Sequence, residues 1–152
     1  MKGFFLFLLS FSVSLSISAD ETDLTDFAKS YFAAWKDTQA PDAKAQDIER
    51  YLSFLHEDIG HQHLPYDPDD ARLPDGKKSM RSGMLFYLGA HTSYAAELKQ
   101  VIPANNVVVI TYSTKSSGIH PQTKELIHQS YDTMEVLEIE DGKVSVVRKY
   151  SE

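Results

Sequence analysis

Glu135-Val136-Leu137-Glu138-Ile139-Glu140-Asp141-Gly142-Lys143-Val144 is the stretch that decides the fold class. From Leu137 to Glu140 apolar and charged side chains alternate, the period of two expected of a strand with one dry and one wet face. Asp141-Gly142 is a strong hairpin signal, because both central positions of the favoured tight turn need positive φ. The chain then returns as a strand over Lys143–Tyr150. Upstream, the first strand extends back to Lys124. Tyr131, Thr133, Glu135, Leu137 and Ile139 share one of its faces, and Ser130, Asp132, Glu138 and Glu140 share the other. Leu137 and Ile139 turn the first face towards a core, with Glu135 among them, and the second suits solvent.

Further upstream, Val107–Thr114 is a β-branched run and the clearest strand of the chain. Pro103-Ala104-Asn105-Asn106 is a turn, and Ser93–Ile102 a strand before it. The period changes towards the N-terminus. Leu24, Phe27, Ala28, Tyr31, Ala34 and Trp35 recur at helical spacing. This helix ends before Pro41, and Asp42 is placed to cap a second, whose stripe is Ile48, Tyr51, Leu52 and Leu55. A short strand over Asp58–Leu64, a polar loop rich in Pro and Asp, and a third helical stripe (Met80, Gly83, Met84, Tyr87, Leu88) complete the series. The order is helix, helix, strand, helix and four antiparallel strands. Helices must bury their stripes against one face of the sheet, which gives a two-layer α+β domain. A strongly curved sheet wrapped on helices leaves a conical cavity between the layers.

Residues 1–19 have the layout of a secretory signal: Lys2, the apolar run Phe4–Leu9 and its continuation, and small residues ending at Ala19. The segment is short and serine-rich for a membrane span. The expectation is an exported, periplasmic or secreted protein whose single domain covers residues 20–152, with no membrane association after cleavage. The net charge is −7, which argues against a nucleic-acid partner. The absence of cysteine excludes disulfides, thiolate nucleophiles and Cys-bound zinc.

The element order and several local strings resemble the nuclear transport factor 2-like, or SnoaL-like, superfamily. The strings are Tyr31-Phe32-Ala33-Ala34-Trp35, Asp58-Ile59-Gly60-His61-Gln62-His63, Gly76-Lys77, and the C-terminal run closing in Arg148-Lys149-Tyr150. The resemblance implies a cone-shaped curved sheet wrapped around helices. It leaves open a binding protein, an enzyme or an interaction domain. Ketosteroid isomerases, one branch, are similar at three positions. Their catalytic Tyr falls on Tyr31, their buried acid on Glu135, and their Asp base on His63, a change of residue type that argues against steroid isomerisation itself. In those enzymes an Asp base works beside an oxyanion hole made of a Tyr and a protonated Asp.

These three residues are therefore the candidate catalytic set. A carboxyl among apolar side chains favours its neutral, hydrogen-bond-donating form, unless a partner such as Arg148 or a Tyr pairs with it. His61 and His63 share a strand face. Imidazole suits a general base near neutral pH, and two rings two residues apart are also compatible with a metal. No spacing singles out a third ligand among His56, His91, His120, His128 and the carboxylates, so no metal is assigned. Trp35, His61, Tyr87, Tyr131 and Thr133 are expected to line the pocket. No phosphate loop, dinucleotide fingerprint or nucleophile elbow is present, so no cofactor is assigned. The expected partner is a small-molecule ligand, with the sheet as a surface for a homodimer.

Overall fold

The structure, a computed structural model, describes residues 21–152. The segment read as an export signal lies outside the described residues. Three helices and five strands follow the order expected: α1 (Glu21–Thr38), α2 (Ala45–Leu52), β1 (Leu55–Leu64), α3 (Gly76–Tyr87), β2 (His91–Ala104), β3 (Val107–Ile119), β4 (Leu126–Glu140) and β5 (Lys143–Ser151). The strands form one curved sheet in the order β1-β5-β4-β3-β2. The last four strands are antiparallel to one another, as the hairpin signals require. β1 adds to the edge parallel to β5, which makes the sheet mixed. Asp141 (φ 48°) and Gly142 (φ 73°) make the β4–β5 turn with the backbone that the Asp-Gly pair foretells.

Some boundaries differ from the sequence reading. β1 begins at Leu55, and β3 runs on to Ile119, past the Thr114 bound read from the sequence, because pairing with β4 continues to Leu126. Lys44, not Asp42, occupies the cap position of α2, and its N–H donates to the Asp47 carboxylate at 2.9 Å.

The helices cover the inner face of the sheet. α1 supplies Leu24, Ala28, Tyr31, Phe32 and Ala34 to the core, and α2 supplies Ile48, Tyr51 and Leu52. The sheet answers with Val108, Ile110, Tyr112, Leu137, Val144 and Val147. On the outer face, the segment between β1 and α3 folds back over the sheet edge. Arg148 reaches Asp70 at 2.8 Å and also Glu138, while Arg72 bonds Asp58 at 2.8 Å. The approach is close enough to require a glycine: a Cβ at Gly60 would lie 2.3 Å from the Asp70 carbonyl oxygen.

One irregularity positions the site. Glu138 pairs with Val146 and Ile139 with Val144, so Ser145 is an extra residue in β5. Such a bulge reverses the alternation beyond it. Val144 faces the core, but so do Val147 and, next on that face, Lys149.

Candidate functional site

Between the C-terminal half of α1 and the inner sheet face lies a cavity of about 190 Å³. Trp35 and Gln39 come from the end of α1 and just beyond it. The strands contribute His63 from β1, His91 and Tyr94 from β2, Tyr112, Thr114 and Ser116 from β3, Gln129, Tyr131 and Thr133 from β4, and Lys149 and Ser151 from β5. β3, β4 and β5 each supply one parity, and in β2 a register shift between His91 and Ser93 brings His91 onto the face of Tyr94. Tyr66, just after β1, completes the wall. Every described residue that lines this space carries a polar atom, and seven carry a ring. Two larger spaces open beside it, of about 560 and 380 Å³, and His63 and His91 border all three.

Beneath the cavity lies a buried polar cluster. Glu135 is 3% exposed. Its Oε1 accepts the Tyr112 hydroxyl at 2.6 Å and its Oε2 accepts the Tyr31 hydroxyl at 3.4 Å. The Tyr31 and Tyr51 hydroxyls also lie 3.0 Å apart, a hydrogen bond in which either oxygen can donate. Burial raises the pKa values of Tyr31, Tyr51 and Tyr112, and the nearby Glu135 adds to each. All three therefore remain neutral phenols. Lys149 Nζ stands 3.8 Å from Glu135 Oε1, 5.0 Å over the Trp35 ring and 5.9 Å over the Tyr112 ring. Desolvation lowers the pKa of this lysine, and Glu135 opposes the shift.

The register explains why these groups meet. His63 pairs with Lys149, Lys149 with Glu135, and Glu135 with Ile110, which places three titratable residues in one row across the sheet. His63 is the outermost. Its imidazole makes ring contacts with Tyr66 (5.3 Å) and His61 (6.2 Å) and no side-chain hydrogen bond among the described residues. Partial burial, with Lys149 and His61 adding repulsion, lowers its pKa to about 4. His61 is lowered too, chiefly by desolvation. Both rings are neutral at pH 7.

The candidate residues thus fall into two layers. Tyr31 and Glu135 touch each other behind the cavity floor, and neither lines the cavity; His63 lies on its wall. Glu135 is surrounded as an acceptor, by two phenols and an ammonium. Arg148, named from the sequence as a partner for it, points to the other face and binds Asp70 and Glu138. Trp35, Tyr131 and Thr133 line the cavity. His61 and Tyr87 border the adjoining 380 Å³ space with His63, and Tyr87 also borders the larger one. Tyr112, Tyr51 and Lys149 were not among the site residues read from the sequence; Tyr51 was placed on the α2 stripe and Lys149 in the closing Arg148-Lys149-Tyr150 string. Tyr112 shares its parity with Val108 and Ile110, a signal that was available. Lys149 was hidden by the Ser145 bulge.

No family model and no curated protein matches the chain. Solved structures do. A nuclear transport factor 2-like protein from Anabaena variabilis superposes with a TM-score of 0.67 at 15% identity, over 90% of this chain and 96% of that one. A SnoaL-like protein from Shewanella denitrificans gives 0.65 at 11% identity, over 84% and 88%. The chain has the nuclear transport factor 2-like fold. A ketosteroid isomerase-like protein from Erwinia carotovora gives 0.59 at 14% identity, over 86% and 95%. At these identities the likeness establishes the fold and leaves function to the residues. In this nuclear transport factor 2-like fold the cavity lies against the inner sheet face, where Trp35, Tyr131 and Lys149 stand.

Proposed function

We propose that this chain works after export as a small-molecule-binding domain, with the ligand held between Trp35 and the inner face of β2–β5. The observation that carries this reading is the lining itself. A space bounded by aromatic rings and polar side chains, with no aliphatic wall, matches a flat ligand that carries oxygen or nitrogen atoms along its edges. Its rings supply stacking faces, and Gln129, Thr114 and Ser116 supply short-range hydrogen bonds.

Acid/base catalysis by His63, Tyr31 and Glu135 is the second reading, favoured by the unbonded His63 imidazole on the cavity wall. Magnitude sets it second. A base is most effective when its pKa lies near the working pH, and His63 at about 4 is a weak one at pH 7. Tyr31 and Glu135 are spent on each other, below the space where a ligand would sit.

Trp35 is the only tryptophan and lines the cavity, so its emission reports occupancy. Native mass spectrometry of the exported protein is expected to show a small molecule leaving with it, and that molecule, added back, is expected to change Trp35 emission saturably. A protein free of any small molecule, with emission unmoved by extracts of the compartment it is exported to, contradicts the reading. Turnover of the molecule by wild type, lost at least about 100-fold in His63→Ala, would move the second reading to first place.

A further inference from the structure

Lys149 is the lysine of the cavity lining, and neither reading uses it. Its side chain is 17% exposed, and that exposure opens on the cavity. The neighbouring carboxylate oxygen, Glu135 Oε1, is already engaged at 2.6 Å by Tyr112. At 3.8 Å the lysine has Coulombic attraction to that oxygen without a hydrogen bond. Among the described residues, no hydrogen bond to its Nζ is present. The other surroundings are the Trp35 and Tyr112 rings and, from β1, the neutral His61 and His63. The result is a primary amine held on a cavity wall, beside an acceptor able to take its proton and free to turn towards a ligand.

Resting on the reading of this cavity as a ligand site, we propose that Lys149 forms an imine with an aldehyde or ketone held there. Glu135 receives a proton from the ammonium, which frees the nitrogen lone pair. That lone pair attacks the carbonyl carbon: a C–N bond forms, the C=O π pair moves to oxygen, and the oxygen takes a proton from solvent to give a carbinolamine. Nitrogen loses a second proton to solvent, and the hydroxyl departs as water with a proton returned by Glu135 as the C=N bond closes. The balance is carbonyl plus amine giving imine plus water, with no change of oxidation state. Burial, which lowers the proton affinity of Lys149, works in the same direction by raising the free-amine fraction at neutral pH. When the imine is protonated, its charge sits where the ammonium sat, over Trp35 and beside Glu135. Tyr112 is a positioning residue, because its short hydrogen bond fixes the carboxylate.

The test uses the exported protein with 4-hydroxybenzaldehyde and sodium cyanoborohydride at pH 7, followed by intact mass and peptide mapping. Reduction of the imine adds the mass of the aldehyde less one oxygen atom. The expected result is labelling of Lys149 about ten-fold or more faster than of the exposed Lys29 and Lys99. Lys149→Arg, with its fold checked by circular dichroism, is expected to lose only the fast phase. Labelling of Lys149 no faster than of Lys29 overturns the proposal. 4-Hydroxybenzyl alcohol, which lacks the carbonyl, separates the two claims. If it changes Trp35 emission saturably while Lys149 stays unlabelled, the cavity reading stands and imine formation falls. If neither compound acts, both fall.

Discussion

Along β3 the inward residues run Val108, Ile110, Tyr112, Thr114 and Ser116. Along β4, read in the opposite direction, they run Leu137, Glu135, Thr133, Tyr131 and Gln129. The same face of the same strands is dry at one end and polar at the other. At the dry end Val108, Ile110 and Leu137 are fully buried beneath α1 and α2. At the polar end the same alternation lines a cavity beneath the C-terminal half of α1. The boundary is the row Ile110, Glu135, Lys149 and His63. One end of the sheet is packed against helices and the other lines a cavity, with no change of secondary structure between them.

The largest effect that can break this comparison is at the dry end. Leu137→Ala is expected to lower stability by about 2–5 kcal/mol, since it opens a cavity in a packed core, as measured by denaturant unfolding. A cost below about 1 kcal/mol would mean that the dry end does not carry the fold. The boundary row comes next. Tyr112→Phe removes the 2.6 Å bond to Glu135 and leaves a buried carboxylate oxygen short of a donor. A loss of about 1.5–3 kcal/mol is expected for a hydrogen bond to a charged group, and an unchanged midpoint would show that Glu135 is satisfied without it.

The smallest effect concerns His63. Its folded pKa of about 4 lies below the ordinary 6.5, so the unfolded chain takes up the proton first as pH falls. His63 therefore contributes a loss of stability that begins near pH 6.5 and is complete near pH 4. The contribution is reduced by the solvent that reaches the ring. The difference in stability between wild type and His63→Gln is expected to shift in favour of the variant as pH falls through that window. A difference independent of pH would remove His63 from the desolvated wall.

Much of this comparison was legible in the sequence. The parity of β4 put Tyr131, Thr133, Glu135 and Leu137 on one face, and that is the face they share. Asp141-Gly142 marked its hairpin, and the stripe of α1 pointed Tyr31 inwards. Long, regular strands betray their faces because a period of two leaves only one choice of which side is dry. Less was visible of how Glu135 is satisfied. Arg148 is near it in sequence and on the wrong side of the sheet, while Tyr112 and Tyr31 are remote in sequence and in contact.

The sequence by itself determined the element order, the turns, and which face of each regular strand meets the helices, because local sterics and the separation of apolar from polar side chains act over a few residues at a time. Tertiary structure alone decided which residues stand beside one another across that face. The parallel docking of β1 on β5 set His63 next to Lys149. The extra residue at Ser145 turned Lys149 inwards against the parity counted from Val144. A bulge is a property of two strands in register, and one strand read alone carries no record of its partner.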